Sequence, residues 1–277
     1  MKKLIVIAGS GKYPQMIIEG AKKAGVECVD VMAVRGSTAR ATINAADHVL
    51  WGSLGRIAES VRLVGSKGYE GAILAGQINP LSLFRSRFDA ETKAWLAELP
   101  GKNAHSIYGK LIEKFEFYGT KMLPASLFMD DFIPGAGVLT VRSLSEEEEK
   151  DVKYASMVAN DVGIHDVGQT VMVKRGMVLA VEAFEGTNAA IKRGGKLGGK
   201  GAVVFKAARN GHDMRFDIPV IGLKTMKVLK KAGVTALAFQ ANRLVMLDRQ
   251  DVLAFANRYN IAIAGIATAL PPAPLRP

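Results

Sequence analysis

The amino-acid sequence predicts an α/β fold in two parts, and three observations predict it. Short apolar runs alternate with helical stretches through the first half. The chain changes character across Gly119–Gly137, which holds two prolines, three glycines and the pair Asp130-Asp131. A second alternation of strand and helix patterns follows Ser145. Strands separated by helices call for parallel pairing with crossover helices. The expected architecture is an N-terminal Rossmann-like parallel-sheet domain over residues 1–137 and a distinct C-terminal α/β domain over residues 138–277. The acting carboxylates belong to the second domain.

Leu4 to Ala8 is the first strand, and the turn Gly9-Ser10-Gly11-Lys12-Tyr13 follows it. Pro14 suits the first position of a helix that runs to about Ala24 and stops at Gly25. Glu27 to Val34 reads as a second strand with Cys28 buried inside it. His48 to Trp51 and Ala72 to Ala75 are further strands, and Leu54 to Lys67 is a helix ended by Gly68. The hinge is placed near Val138 to Ser145. Ser145 then opens a helix as its N-cap, with Glu148 three residues on and four glutamates in the first turn, a capping box on the positive end of the dipole. Thr170–Val173 and Met177–Glu182 flank Lys174-Arg175-Gly176 as a hairpin. After a helical stretch come the strand Ala202–Phe205, the helix Leu223–Ala232 capped by Gly233, two short strands across Ala236–Leu247, and a last helix and strand. The tail Pro271-Pro272-Ala273-Pro274 reads as loose.

At 277 residues, 49% hydrophobic and 23% charged, the chain can bury a core in each half. No apolar run reaches the roughly 18–20 residues that span a bilayer. One cysteine excludes an intrachain disulfide, so a cytoplasmic location is expected. The net charge of +11 favours an anionic partner such as a phosphate, an acidic membrane surface or a nucleic acid. Zinc-finger spacing and an RNP-like aromatic motif are both missing from the sequence, so no nucleic acid is expected.

Two glycine-rich stretches invite phosphate readings. Gly9, Gly11 and Pro14 form a strand–turn–helix junction where amides could meet a phosphate. Pro14 stands where a dinucleotide fingerprint needs glycine, which disfavours a nicotinamide or flavin oxidoreductase. Gly194-Gly195-Lys196-Leu197-Gly198-Gly199-Lys200-Gly201 nearly spells a P-loop, but Gly201 replaces the magnesium-binding hydroxyl and the order is helix, loop, strand. It is expected to be a flexible basic loop. Cys28 carries no cue for a lowered pKa, no serine elbow occurs, and only His212 among the histidines sits with other polar groups.

The strongest cluster is Glu182-Ala183-Phe184-Glu185-Gly186-Thr187-Asn188, then Lys206, then His212-Asp213-Met214-Arg215-Phe216-Asp217. Both stretches follow an apolar strand. Carboxylates with Arg and Lys on such loops suit a hard divalent cation plus phosphate, or else a structural ion-pair network around Arg215.

These residues resemble a known family. Glu182-x-x-Glu185-Gly186-Thr187, the run Asp213-x-Arg215-x-Asp217-x-Pro219-x-x-Gly222 and the opening Gly9-x-Gly11-x-x-Pro14 are similar to the LpxI-type UDP-2,3-diacylglucosamine pyrophosphatases. The likeness covers most of the chain. It implies Mg²⁺-dependent hydrolysis of a lipid-linked UDP-sugar to 2,3-diacylglucosamine 1-phosphate and UMP in lipid A biosynthesis, by a homodimer with exchanged elements. It also implies peripheral contact with the inner membrane. Asp213 and Asp217 would bind metal and activate water, Arg215 and Lys206 would stabilise phosphate charge, and Glu182, Glu185, Thr187 and Asn188 would line the site. Gly9, Gly11 and Pro14 would support one wall. The family pattern has acidic residues where this chain has Asn188 and Gln240, and Lys-Pro-x-Gln where it has Ala208-Arg209-Asn210-Gly211-His212. The alternative reading is a non-catalytic nucleotide- or nucleic-acid-binding protein on the same fold.

Overall fold

The structure, a computed structural model, describes residues 1–77, 87–99, 104–165, 167–208, 215 and 218–267, the side chains of 104 and 105 apart. Contacts divide it into two units, one of Met1–Met129 with Arg215 and one of the described residues from Asp130 onward. Three features of the sequence reading lie outside the described residues: Asp213 and Asp217, His212, and the tail Pro271–Pro274.

The first unit is built on four parallel strands in the order β3-β2-β1-β4. They are β1 (Lys3–Ala8), β2 (Cys28–Val34), β3 (Val49–Gly52) and β4 (Gly71–Ala75). Both faces of β1 are covered, which explains its unbroken apolar run. Ile5 joins Met32, Ala72 and Leu74 under Val61 and Val64 of helix α3 (Ile57–Gly65) and Ile112 and Phe115 of a later helix. On the chain's other flank, α1 (Tyr13–Lys23) buries Ile17 and Ile18 completely. Helices α2 (Arg40–Ala45), α4 (Ala90–Ala97) and α5 (Ala104–Phe117) are the other described helices of this unit, and the sequence analysis predicts none of the three. Asp89 caps α4 by accepting from the Thr92 amide at 2.7 Å.

The second unit carries a six-stranded mixed sheet in the order β5-β12-β10-β8-β6-β7. Its strands are β5 (Gly137–Val138), β6 (Thr170–Lys174), β7 (Met177–Val181), β8 (Ala202–Lys206), β10 (Val234–Gln240) and β12 (Ala262–Ile266). β8, β10 and β12 run parallel, while β5, β6 and β7 pair antiparallel at the two flanks. β9 (Val220–Ile221) and β11 (Val245–Met246) form a separate parallel pair, so only one of the two strands expected across Ala236–Leu247 enters the main sheet.

Alternation along the strands sorts the core. Met172, Val204, Leu237, Phe239 and Ile263 face α7 (Thr187–Gly198), α8 (Leu223–Lys231) and α9 (Arg249–Arg258). Val171, Val203, Phe205, Ala236, Ala238 and Ala262 face α6 (Glu146–Ile164), which answers with Val152, Ala155 and Ala159. Phe205 and Phe239 are buried, exposed to only 1% and 0%, and each such ring stabilises by about 2–3 kcal/mol.

The capping box at α6 is present in full. Ser145 Oγ accepts from the Glu148 amide at 3.3 Å, and Glu148 Oε2 accepts from the Ser145 amide at 2.9 Å. Arg142 reinforces it, donating to Glu148 Oε2 at 2.7 Å and Oε1 at 3.0 Å, to Asn260 O at 3.2 Å, and to Thr235 O. Burial pushes the Glu148 carboxyl up, but hydrogen bonds from Arg142 and Ser145 win and hold it below its ordinary value. Residues 139–142 are strapped to the second unit through Leu139 N to Ile263 O and Val141 N to Asn257 Oδ1, both 2.9 Å. At the β6–β7 hairpin Arg175 and Gly176 both have positive φ, 49° and 71°, and Asp151 accepts from both amides at 2.7 Å.

The glycine-rich stretch corrects an expectation. Gly194 to Gly198 are helical, the end of α7, and not a loop. A Cβ at Gly194 would meet Met172 Sδ at 2.5 Å, one at Gly195 would meet Ala232 Cβ at 2.6 Å, and one at Gly198 would strike Leu179. The glycines let α7 lie close on the β6–β7 hairpin and on α8. Their helical cost of about 1 kcal/mol each is offset by that packing. Lys174 Nζ then binds the carbonyls of Gly198 and Lys200 at 2.7 and 2.8 Å.

Candidate functional site

In the second unit the C-terminal ends of the parallel strands β8, β10 and β12 share one edge, the edge at which such sheets bind ligands. Lys206 ends β8 and is 6% exposed. Its place in the strand alternation puts it on the face that packs α7, opposite Thr170 in the register with β6. Its Nζ donates to Thr187 Oγ1 at 2.8 Å, and Thr187 Oγ1 donates to Glu182 Oε1 at 2.9 Å. Thr170 Oγ1 lies 3.4 Å from Thr187 Oγ1. An ammonium, a hydroxyl and a carboxylate therefore form one polarised line.

Thr187 is also the first residue of α7, after Gly186 at φ 81°. The first amides of a helix have no partner within it, and the dipole there favours anions. Glu182 Oε2 and Asn188 Oδ1 are buried oxygens with no hydrogen-bond partner among the described residues. Orphaned acceptors of this kind ask for a cation or a donor from a ligand. Glu185 points elsewhere. It pairs with Arg193 at 2.7 Å, and that hydrogen bond holds its carboxyl below the ordinary value. Gln240, at the end of β10, accepts from the Ala208 amide at 3.2 Å. An acid there would accept that bond equally well; the amide accepts it without adding a charge.

The structure thus brings together Glu182, Thr187 and Lys206, places Asn188 beside them in sequence on α7, and turns Glu185 toward Arg193. Thr170 and Arg193 escaped the sequence reading. A threonine in an apolar strand carries no distinguishing signal, whereas the eight-residue spacing from Glu185 to Arg193 across the start of α7 could have revealed that pair. Arg215 lies with the first unit and pairs with Glu116 Oε1 at 3.0 Å.

Gly9, Gly11 and Pro14 are in the first unit. The amides of Gly9 and Ser10 already donate to Ala75 O and Gln77 O, both at 2.8 Å. A Cβ at Gly9 would meet Gln77 O at 2.6 Å, and Pro14 packs where a Cβ on Gly76 would fall, 2.9 Å from its Cγ. Gly9 and Pro14 close this turn onto the end of β4, and Gly11, at φ 95°, faces open space. Two more expectations are corrected here. Cys28 is the first residue of β2 and only partly buried, and burial together with Asp30 holds its thiol above the ordinary value. His48 also sits with polar groups, its Nδ1 lying 2.8 Å from Asp30 Oδ1. No described helix is long and apolar enough to cross a membrane.

Comparison with known proteins follows the same division. The LpxI N-terminal domain family matches residues 3–132, and the LpxI C-terminal domain family matches residues 135–264. The UDP-2,3-diacylglucosamine pyrophosphatase LpxI of Caulobacter vibrioides is 29% identical over 280 residues, covering 96% of this chain and 98% of that protein. A phosphoribosylglycinamide synthetase structure from Anaerococcus prevotii aligns over 67% of this chain and 40% of its own at 13% identity, with a TM-score of 0.24. That value bears on neither fold nor function. The two domain families lie end to end over nearly the whole sequence, and the chain belongs to the LpxI family.

Proposed function

We propose that this protein hydrolyses the pyrophosphate of UDP-2,3-diacylglucosamine to 2,3-diacylglucosamine 1-phosphate and UMP, a step of lipid A biosynthesis. The observation that carries the reading is the Lys206–Thr187–Glu182 line at the ligand-binding edge of the second sheet, in a chain of this family. A buried ammonium that donates to a hydroxyl, with a half-buried carboxylate behind that hydroxyl, is suited to meet the anionic charge of a pyrophosphate.

The Lys206 ammonium and the N-terminus of α7 take up pyrophosphate charge. Asp213 and Asp217 are the proposed metal ligands and proton acceptors for the attacking water. Arg215 is proposed as a further cation for phosphate. The water oxygen bonds to the phosphorus on the sugar side, the bond from that phosphorus to the bridging oxygen breaks, and UMP leaves.

A hard cation fits the donors present. Among the described residues Glu182 Oε2 and Asn188 Oδ1 are buried oxygens without a hydrogen-bond partner, and oxygen is what Mg²⁺ takes. When bound, Mg²⁺ supplies charge neutralisation at the phosphate and acidifies water. Phe184, 81% exposed between Glu182 and Glu185, gives the rim an apolar side chain suited to an acylated substrate. Peripheral association with the inner membrane and a homodimer are part of the same reading; vesicle sedimentation and light scattering after size exclusion test them.

The deciding measurement is UMP release from UDP-2,3-diacylglucosamine with Mg²⁺, against an EDTA control. Metal-dependent release that Asp213→Asn or Asp217→Asn abolishes supports the assignment. A folded protein that releases no UMP, or both variants at full activity, refutes it. Salt-sensitive RNA binding without hydrolysis would install the non-catalytic alternative.

A further inference from the structure

At the opposite, N-terminal edge of the first sheet, three donor atoms of different chemistry converge. Cys28 opens β2, Asp30 lies two residues on and so on the same side of the strand, and His48 immediately precedes β3. Cys28 Sγ is 3.3 Å from Asp30 Oδ1 and 3.8 Å from His48 Nδ1, and that Nδ1 is 2.8 Å from the same carboxylate oxygen. Among the described residues these three make the one such cluster of potential ligands.

We propose that Cys28, Asp30 and His48 bind a borderline-soft divalent ion of the zinc class at the base of the first sheet. The distances carry this. A tetrahedral zinc with ordinary bond lengths separates its sulfur from a neighbouring nitrogen or oxygen ligand by about 3.6 Å, and nitrogen from oxygen by about 3.3 Å. The two sulfur separations are each within a few tenths of an ångström of that. The His48–Asp30 hydrogen bond has to open by about half an ångström, which the exposed imidazole, at 73%, is free to do.

The surroundings fit as well. Asp30 is 3% exposed, and Tyr69 Oη donates to its other oxygen, Oδ2, at 2.6 Å, fixing the carboxylate as outer partners of metal ligands do. Lys3 Nζ sits 4.5 Å from the centre of the Tyr69 ring. Sulfur and imidazole donors disfavour Mg²⁺ and favour zinc or cobalt, so this site is chemically separate from the proposed catalytic one. Three protein ligands leave a fourth position for water or a small ligand. Binding releases the Cys28 thiol proton to solvent, leaves the metal's oxidation state unchanged, and clips the start of β2 to the start of β3.

The test is titration of tag-free, chelator-treated full-length protein with Co²⁺. One equivalent is expected per chain, with a thiolate-to-cobalt charge-transfer band that Zn²⁺ displaces. Cys28→Ser should lose the band. His48→Ala, at an exposed side chain that leaves folding intact, should weaken binding at least about tenfold, since even outer-shell losses cost about 10–100-fold. UMP release by both variants in Mg²⁺ should match the parent protein. No band, or binding by Cys28→Ser and His48→Ala equal to the parent, overturns the proposal. Neither result depends on whether the protein hydrolyses UDP-2,3-diacylglucosamine.

Discussion

Thr187→Val is the substitution that probes the candidate site most directly, because it keeps the shape and removes one hydroxyl. That hydroxyl accepts from Lys206 Nζ at 2.8 Å and donates to Glu182 Oε1 at 2.9 Å. Hydrogen bonds to charged groups contribute about 1.5–3 kcal/mol each. Lys206 keeps a further interaction, whereas among the described residues Glu182 has one oxygen without a partner and would then have both. A destabilisation of about 2–3 kcal/mol follows, which in a unit of this size lowers its melting transition by roughly 4–10 °C. Calorimetry on Thr187→Val, Glu182→Gln and the double variant is the assay. Removing the charge that Thr187 serves should make the hydroxyl's loss cheaper, so the double variant is expected to fall short of the sum by at least about 1 kcal/mol. A melting transition unmoved by Thr187→Val, or effects additive within about 0.5 kcal/mol, would refute the idea of a coupled line.

Three further outcomes are expected. Ser145→Ala removes half of the capping box and should cost about 1 kcal/mol in a urea melt. Gly194→Val should cost about 1–3 kcal/mol or more, because its side chain has to enter space held by Met172 Sδ and Ala180 Cβ. A glycine in a solvated loop would tolerate valine with no measurable loss. Glu148→Gln should lower stability at neutral pH by about 2 kcal/mol, a value discounted for the partial exposure of its pair with Arg142. The folded carboxyl is held below 4.5, so its contribution is complete above that pH and is lost as pH falls through the folded value. The gap between parent and variant in denaturant melts should therefore close under acid; a gap independent of pH would show that Glu148 acts without its charge.

Local rules made much of this fold legible. Ser145 and Glu148 announce a helix start because both bonds of the capping box are made within four residues. Arg175-Gly176 announces a hairpin because its turn needs two positive φ values. The reading failed where tertiary packing overrides local preference. Gly194, Gly195 and Gly198 look like a loop until Met172, Ala232 and Leu179 are seen against them. The cluster at Cys28, Asp30 and His48 was illegible for a related reason, since the register of β2 on β3 and not sequence proximity brings an 18-residue separation down to 2.8 Å. Within the candidate site, the carboxylates and Lys206 stood out by residue type. Their connection through Thr187 did not, because it depends on α7 starting at the C-terminal end of β8.

The Arg142 contacts divide the second sheet by tolerance to change. One guanidinium fastens Glu148 of α6 to backbone carbonyls at the beginnings of β10 and β12, all at the end of the sheet away from Lys206. The ends that hold Lys206 and Gln240 therefore do not carry that fastening. A change at Gln240 leaves the Arg142–Glu148 fastening untouched, and acts on the scaffold only through the bond it accepts from Ala208.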